Sequence, residues 1–304
     1  MKRADTSRRD FLKQAGLLST AMVLAPGCMA EGQSKSPYKL GLQLFSINDA
    51  MNADPLGTLQ KVKDMGYQDF EIYGFDPEKL TYYGIEAHEL KKRLDDMGLS
   101  ISSGHYGLAD YRDDADAMKR YVDQCIKGAK ALDAAYITWP WHPPKDRNLE
   151  CFKALPEVLN RIGEQVNAAG LGFAYHNHGF EFVDYDGTNG YDIVMAETDP
   201  KLVKLQLDMY WSEHSIPGIT VDLIARDPER FVMWHIKDMD KVTRDYTEMG
   251  NGSIDYHDIL SRASQEGLQY YYIEQGGNFA VNSVQSAATS AKYFQKELKG
   301  YFEG

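Results

Sequence analysis

The sequence predicts a single (β/α)8 barrel, and three observations carry that prediction. From residue 38 onward, strand-like and helix-like segments alternate about eight times, which asks for parallel strands joined by helical crossovers. The turn after the first strand, Phe45-Ser46-Ile47-Asn48-Asp49, lacks the GxGxxG phosphate turn usual in a doubly wound sheet. Ionisable residues collect at the C-terminal ends of the predicted strands, where such a barrel keeps its chemistry.

The elements follow from periodicity and from their stop signals. Leu40–Ile47 is an apolar strand. A helix opens at Asp54-Pro55 and closes at Gly66, with Leu56, Leu59, Val62 and Met65 on one face. Asp69–Tyr73 is the second strand, and a helix over Glu86–Met97 is closed by Gly98. Leu99–His105 precedes a long helix, Asp113–Leu132, and Ala135–Trp139 precedes a proline-broken loop and a helix over Leu149–Ala169. Gly172–His178 is followed by a short helix at Gly190–Glu197, and Leu202–Tyr210 by one at Val221–Ala225. Phe231–Lys237 leads through a long loop to a helix over Tyr256–Glu266. Tyr270–Gln275 is the eighth strand and Val281–Leu298 the last helix. No short fixed repeat appears.

The N-terminal segment reads as an address. Lys2, Arg3, Arg8, Arg9 and Lys13 precede an uncharged apolar run, Ala15 to Ala25, that is too short to span a bilayer. Ser7-Arg8-Arg9-Asp10-Phe11-Leu12-Lys13 is similar to a twin-arginine export motif. Residues 1–27 are therefore expected to be a signal peptide, 28–37 a polar tether and 38–304 the barrel. Cys28 follows the apolar core directly and is a candidate for lipidation, the one route to a membrane that the sequence offers. Removing residues 1–27 takes away five basic and two acidic side chains and moves the net charge from −12 to −15. That balance, with no basic run after the first fifteen residues, argues against nucleic acid as a partner. Three Cys exclude a disulfide scaffold, and Cys125 and Cys151 are expected to be buried thiols. The oligomeric state is not legible.

Strand alternation sorts the polar residues. His176 and His178 share a side with Ala174, Asp208 with Gln206, His235 with Lys237, and Glu274 with Tyr272. In each case the ionisable residue lies off the face that packs on helices. His176, Asp208, His235 and Glu274 come one from each of four consecutive strands. Two imidazoles and two carboxylates suit one divalent ion, with Mn, Co, Zn or Ni favoured over Mg. Taken singly, each has an ordinary alternative: a rim hydrogen bond for the His, a helix N-cap for Asp208, an ion pair for Glu274. Glu181 or His178 could replace His176 as the strand-five ligand. Glu71, Trp139, Asn177 and Trp211 are candidate substrate contacts, the aromatic ones able to stack on a sugar or simply to fill core. His88, His142 and His257 read as surface residues.

These motifs resemble the xylose isomerase-like TIM barrel superfamily, the group of sugar phosphate isomerases/epimerases and endonuclease IV-like proteins. The resemblance runs through Phe70-Glu71-Ile72, Ser103-Gly104-His105, Tyr175-His176-Asn177-His178-Gly179-Phe180-Glu181-Phe182, Leu207-Asp208, His235-Ile236-Lys237-Asp238 and Ile273-Glu274. It implies one metal held by Glu, Asp, His and Glu from strands five to eight. Asp208, His235 and Glu274 match, while His176 stands where the family has Glu. That replacement removes one of the two metal-bound carboxylates of a symmetric epimerase. Some exported relatives with the HNHxFEF pattern eliminate the aglycone from 3-keto glycosides by taking the C2 proton. The resemblance thus implies a metal-dependent enzyme that removes a proton next to a carbonyl through an enediolate, as a 3-keto-glycoside lyase or a sugar isomerase/epimerase. The substrate would be a small carbohydrate or keto-glycoside met in the periplasm or cell envelope. Glu181 is the first candidate base, with His178 and His105 next; Lys237 would steady the oxyanion or pair with Asp238 or another mouth carboxylate. A non-catalytic exported sugar-binding lipoprotein is the alternative.

Overall fold

The computed structural model describes residues 38–303. The expected signal, tether and Cys28 lie outside them. Eight parallel strands close into a barrel: β1 Gly41–Gln43, β2 Asp69–Ile72, β3 Ser100–His105, β4 Tyr136–Trp139, β5 Gly172–His176, β6 Lys204–Asp208, β7 Phe231–Ile236 and β8 Tyr270–Ile273. Each strand pairs with its sequence neighbours and β1 pairs with both β2 and β8. The crossover helices are α1 Pro55–Asp64, α2 Ala87–Met97, α3 Ala115–Ala131, α4 Leu149–Ala168, α5 Gly190–Glu197, α6 Ile219–Arg226, α7 Tyr256–Arg262 and α8 Ser283–Tyr293. The predicted (β/α)8 barrel is the observed fold.

Local chemistry sets the helix ends. Asp54, Asp114, Asn148, Asn189, Asp255 and Asn282 each accept a backbone N–H in the first turn of the helix that follows. Gly98 takes φ 70° to end α2, a left-handed cap that a side chain would resist. At Gly172 the reason for glycine is different: a Cβ there would run into the Tyr136 ring on the adjacent strand.

The strands are shorter than periodicity suggested. Leu44–Ile47 leaves β1 as a 3-10 turn, because the Gln43 side chain accepts the Phe45 N–H and curls the chain. Met209–Ser215 is a helix rather than the end of a strand, started by the Asp208 side chain on the Trp211 N–H. Two small antiparallel sheets escaped the sequence reading. Phe75–Asp76, Thr81–Tyr82 and Ile85–Glu86 form one; Asp238–Met239 with Tyr246–Thr247 forms the other, inside the long loop after β7.

Inside the barrel, alternation builds layers. Ala174, Met233 and Tyr272 form an apolar cluster with Tyr136 and Val232. Two residues further along the chain come His176 and His235 on β5 and β7, and Glu274 just past the end of β8. The apolar layer therefore floors the polar one, and the site sits at the C-terminal mouth. Cys125 is buried, Cys151 is half-buried, and both are free thiols. Among the described residues no helix is long and apolar enough to cross a membrane.

Candidate active site

Glu71, at 0% exposure, organises the floor of the site. Its Oε1 accepts from Ser103 Oγ and Gln206 Nε2, both at 2.7 Å. Its Oε2 accepts from Gln43 Nε2 at 2.6 Å and lies 2.9 Å from His105 Nε2 and 2.6 Å from His235 Nε2. Burial alone would raise its pKa, but the two imidazoles hold Glu71 well below the usual carboxylate range. Glu71 is thus a charge that orients histidines; it lines neither cavity described below.

His235 is clamped between carboxylates. Its other nitrogen, Nδ1, lies 2.5 Å from Glu274 Oε2. Burial pushes its pKa down, yet Glu71 and Glu274 more than reverse this and lift it to about 9. Lys237 Nζ lies 2.5 Å from Asp208 Oδ2 and 2.8 Å from Glu274 Oε2, the mouth-carboxylate pairing rather than a bridge to Asp238. Asp238 instead accepts backbone N–H groups from Met239, Gly250, Gly252 and Ile254 and so shapes the loop after β7. Burial opposes the charge on Lys237, but Asp208 and Glu274 raise its pKa, so it stays an ammonium. Glu274 would be raised by burial and is instead lowered by Lys237 and His235. For Asp208, burial outweighs Lys237 and the pKa is raised.

Asp208 does two jobs at once. Oδ1 caps the Met209–Ser215 helix through Trp211 N at 3.0 Å, while Oδ2 faces Lys237 and lies 3.7 Å from His176 Nε2. The ordinary reading of Asp208 as an N-cap and the functional one are both realised. Asn177 locks the strand end that carries it: Oδ1 accepts Asp208 N at 2.9 Å and Nδ2 donates to Asp208 O at 3.3 Å. Asn177 is buried and lines neither cavity.

These side chains fit a divalent ion. Ligand atoms of Asp208, His235 and Glu274 lie within 4.8 Å of one another, and so do those of His105, His176 and His235. His176 Nδ1 is buried without a hydrogen bond, which leaves a lone pair for an ion. The mixed imidazole and carboxylate set suits Zn or its neighbours. Lys237 already supplies positive charge to Asp208 and Glu274, so it competes for the same oxygens. Lys237→Met is therefore expected to lower the melting temperature of the metal-free protein, through loss of the cation shared by two buried carboxylates, and to enlarge the rise that Zn2+ or Mn2+ produces. Thermal scans with and without metal check both signs.

Two neighbouring cavities open above this floor. The first, about 510 Å3, is lined by His105, His176, His178, Lys237, Glu274 and Tyr246 among others. His105 is engaged at both nitrogens, with Gln206 Oε1 at 2.8 Å and Gln43 Nε2 at 3.3 Å. His178 differs: its ring makes no hydrogen bond among the described residues, and its Nδ1 has no partner. It stacks on Phe180 at 5.3 Å with the planes 8° apart. Burial and then Lys237 push its pKa well below the usual histidine range, and burial with neighbouring imidazoles does the same for His176.

Several candidates lie elsewhere than expected. Glu181 is wholly buried and lines neither cavity. Its Oε1 accepts from Tyr175 Oη and its Oε2 from the His178 backbone N, each at 2.8 Å. Burial lifts its pKa to about 7. Trp139 is also fully buried, its Nε1 donating to Trp141 O, and it is Trp141, 44% exposed, that reaches the cavity. Trp211 lines the second cavity. Tyr246, whose ring centroid is 6.0 Å from Lys237 Nζ, had no sequence signal because its loop showed no period.

His142 is a correction. It is 1% exposed, not a surface residue, and its Nε2 lies 3.0 Å from Tyr175 Oη. Burial, aided by Arg112 and Arg147, pushes its pKa down to about 3. The unfolded chain binds a proton here near pH 6.5, so the stability His142 confers is present above that pH and is lost as pH falls toward 3. The slope it adds is about 1.4 kcal/mol per pH unit. In urea unfolding at a series of pH values, His142→Gln should flatten the acid limb by about that slope.

The comparisons bear on the family and the fold. The xylose isomerase-like TIM barrel family matches residues 59–296, and the chain belongs to that family. A sugar phosphate isomerase/epimerase from Parabacteroides distasonis is 26% identical with a TM-score of 0.76, covering 92% of this chain and all (100%) of its own. The IOLI protein with a bound zinc atom is 16% identical, TM-score 0.67, over 88% of this chain and 100% of that one. A xylose isomerase-like TIM barrel protein from Mycobacterium smegmatis, in complex with magnesium, is 15% identical, TM-score 0.63, over 87% and 98%. No curated protein matches the chain.

Proposed function

We propose that this protein is an exported, divalent-metal-dependent carbohydrate enzyme that removes a proton next to a carbonyl, with elimination from a 3-keto glycoside ahead of isomerisation or epimerisation. One observation carries the reading: His178, a neutral imidazole with no hydrogen bond on its ring, faces the same cavity as the His176, Lys237 and Glu274 cluster. His176, Asp208, His235 and Glu274 would hold the divalent ion, which would supply Lewis acidity toward a keto oxygen. His178 takes the C2 proton. Lys237 adds positive charge beside the oxygen on which negative charge develops. Glu71 and Asn177 hold His235 and Asp208 in place, and Glu181 fixes the His178 backbone. The 26% identical sugar phosphate isomerase/epimerase supports a sugar substrate.

Incubation of metal-loaded protein with methyl 3-keto-glucoside and with free ketoses in D2O tests this. Release of methanol with deuterium at C2 of recovered substrate supports elimination; deuterium in a ketose with no methanol release supports isomerisation. No exchange in any substrate removes the reading.

Export rests on the Ser7–Lys13 motif. Changing Arg8 and Arg9 to Lys is expected to strand precursor in the cytoplasm, read by cell fractionation and immunoblot. Normal processing of that variant argues for another route.

A further inference from the structure

The second cavity, about 490 Å3, shares Trp141, His178 and Tyr246 with the first and adds Arg147, Phe180 and Trp211. A free ketose of five or six carbons needs only the first. The wall of the second is unlike it in chemistry. It presents flat aromatic faces around one guanidinium, whose carbon lies 4.1 Å from the Phe180 ring centroid and 5.0 Å from that of Trp141. Arg147 is held in that pose by its Nε, which donates to His142 O at 2.9 Å. His142 is itself fixed by Tyr175, so the cation is built into the scaffold. Trp211 lies beside the His178 ring, 5.7 Å between centroids, with its Nε1 buried and unpartnered.

We infer that the second cavity is a leaving-group subsite for a planar aromatic aglycone carrying a carboxylate or phenolate, with Arg147 as its anion partner and Trp141 as a stacking face. This rests on the proposed elimination and deepens it. His178 lines both cavities, so the bond that breaks lies at their junction. The C2–H proton leaves to the imidazole, a C1–C2 double bond forms, the C1–O bond breaks, and the aglycone oxygen takes one proton to become a phenol. Atoms and electrons balance without a co-reactant: the 3-keto glycoside becomes an unsaturated ketose and a free phenol. A half-buried cation set among rings favours a planar anion over an alkyl alcohol through charge-assisted hydrogen bonding and stacking.

Two measurements test it. In the first, 4-hydroxybenzoate is titrated into the protein and tryptophan fluorescence is followed. Saturable quenching is expected, weakened about tenfold or more by Arg147→Gln or by Trp141→Ala, the latter a change at an exposed side chain. In the second, wild type and Arg147→Gln are compared on the 3-keto-glucosides of 4-hydroxybenzoate and of methanol. The aryl-to-methyl ratio of kcat/KM is expected to fall about tenfold or more in the variant. No binding of 4-hydroxybenzoate, binding unaltered by both substitutions, or an unchanged ratio overturns the subsite. Binding lost in Arg147→Gln together with no turnover of either glycoside keeps the subsite and removes the proposed reaction instead.

Discussion

Replacing His235 with alanine is expected to abolish metal binding and cost the protein much of its stability. The imidazole lies 2.6 Å from Glu71 and 2.5 Å from Glu274, and both carboxylates are buried. Without it each loses a counter-charge, and breaking a buried pair in this way costs about 3–5 kcal/mol. Asp208→Ala should match it in metal loss, because its carboxylate is grouped with His235 and Glu274 as a possible ligand, and should also fray the Met209–Ser215 helix that Oδ1 caps. Elemental analysis of dialysed protein measures the metal directly and should fall from near stoichiometric to background, with turnover falling alongside. Full occupancy in both variants would remove these residues as ligands.

The second large effect concerns the proton. His178→Ala should lower exchange of the C2 proton with solvent by about 10²–10⁴-fold while leaving bound metal nearly intact, the usual penalty for losing a positioned base. Glu181→Gln is the informative contrast. Its carboxylate serves Tyr175 and the His178 backbone and does not reach the cavity. One compromised hydrogen bond of about 1 kcal/mol predicts a loss of less than about tenfold. NMR exchange rates in D2O for the two variants separate the roles. Wild-type exchange in His178→Ala would move the base to His105; collapse in Glu181→Gln would restore the buried acid.

Export apart, the architecture was legible in the sequence because its signals are local. Gly98 past a periodic run, Asp54 before Pro55 and the alternation Ala174, His176, His178 depend only on the geometry of a few consecutive residues. The same alternation carried His176, Asp208, His235 and Glu274 to one mouth. The errors arose where a side chain rather than a period decides. Gln43 curls the end of β1, and Asp208 starts a helix where apolar residues suggested more strand.

Partner choice was decided only by the closed barrel. Which nitrogen of His235 faces Glu71 and which Glu274 depends on β2, β7 and β8 meeting across the interior, residues far apart in the chain. Lys237 read equally as an oxyanion partner or an ion pair; closure sets it between Asp208 and Glu274. Trp139 and Trp141 are two residues apart, yet one is core and the other cavity wall, because the chain leaves the strand between them. Glu181 and His142 follow the same logic: both sit in loops without period, and the barrel wall folds them beneath the mouth against Tyr175. A strand's period says which way a side chain points; what it meets is set by closure of the sheet and the path of the loops.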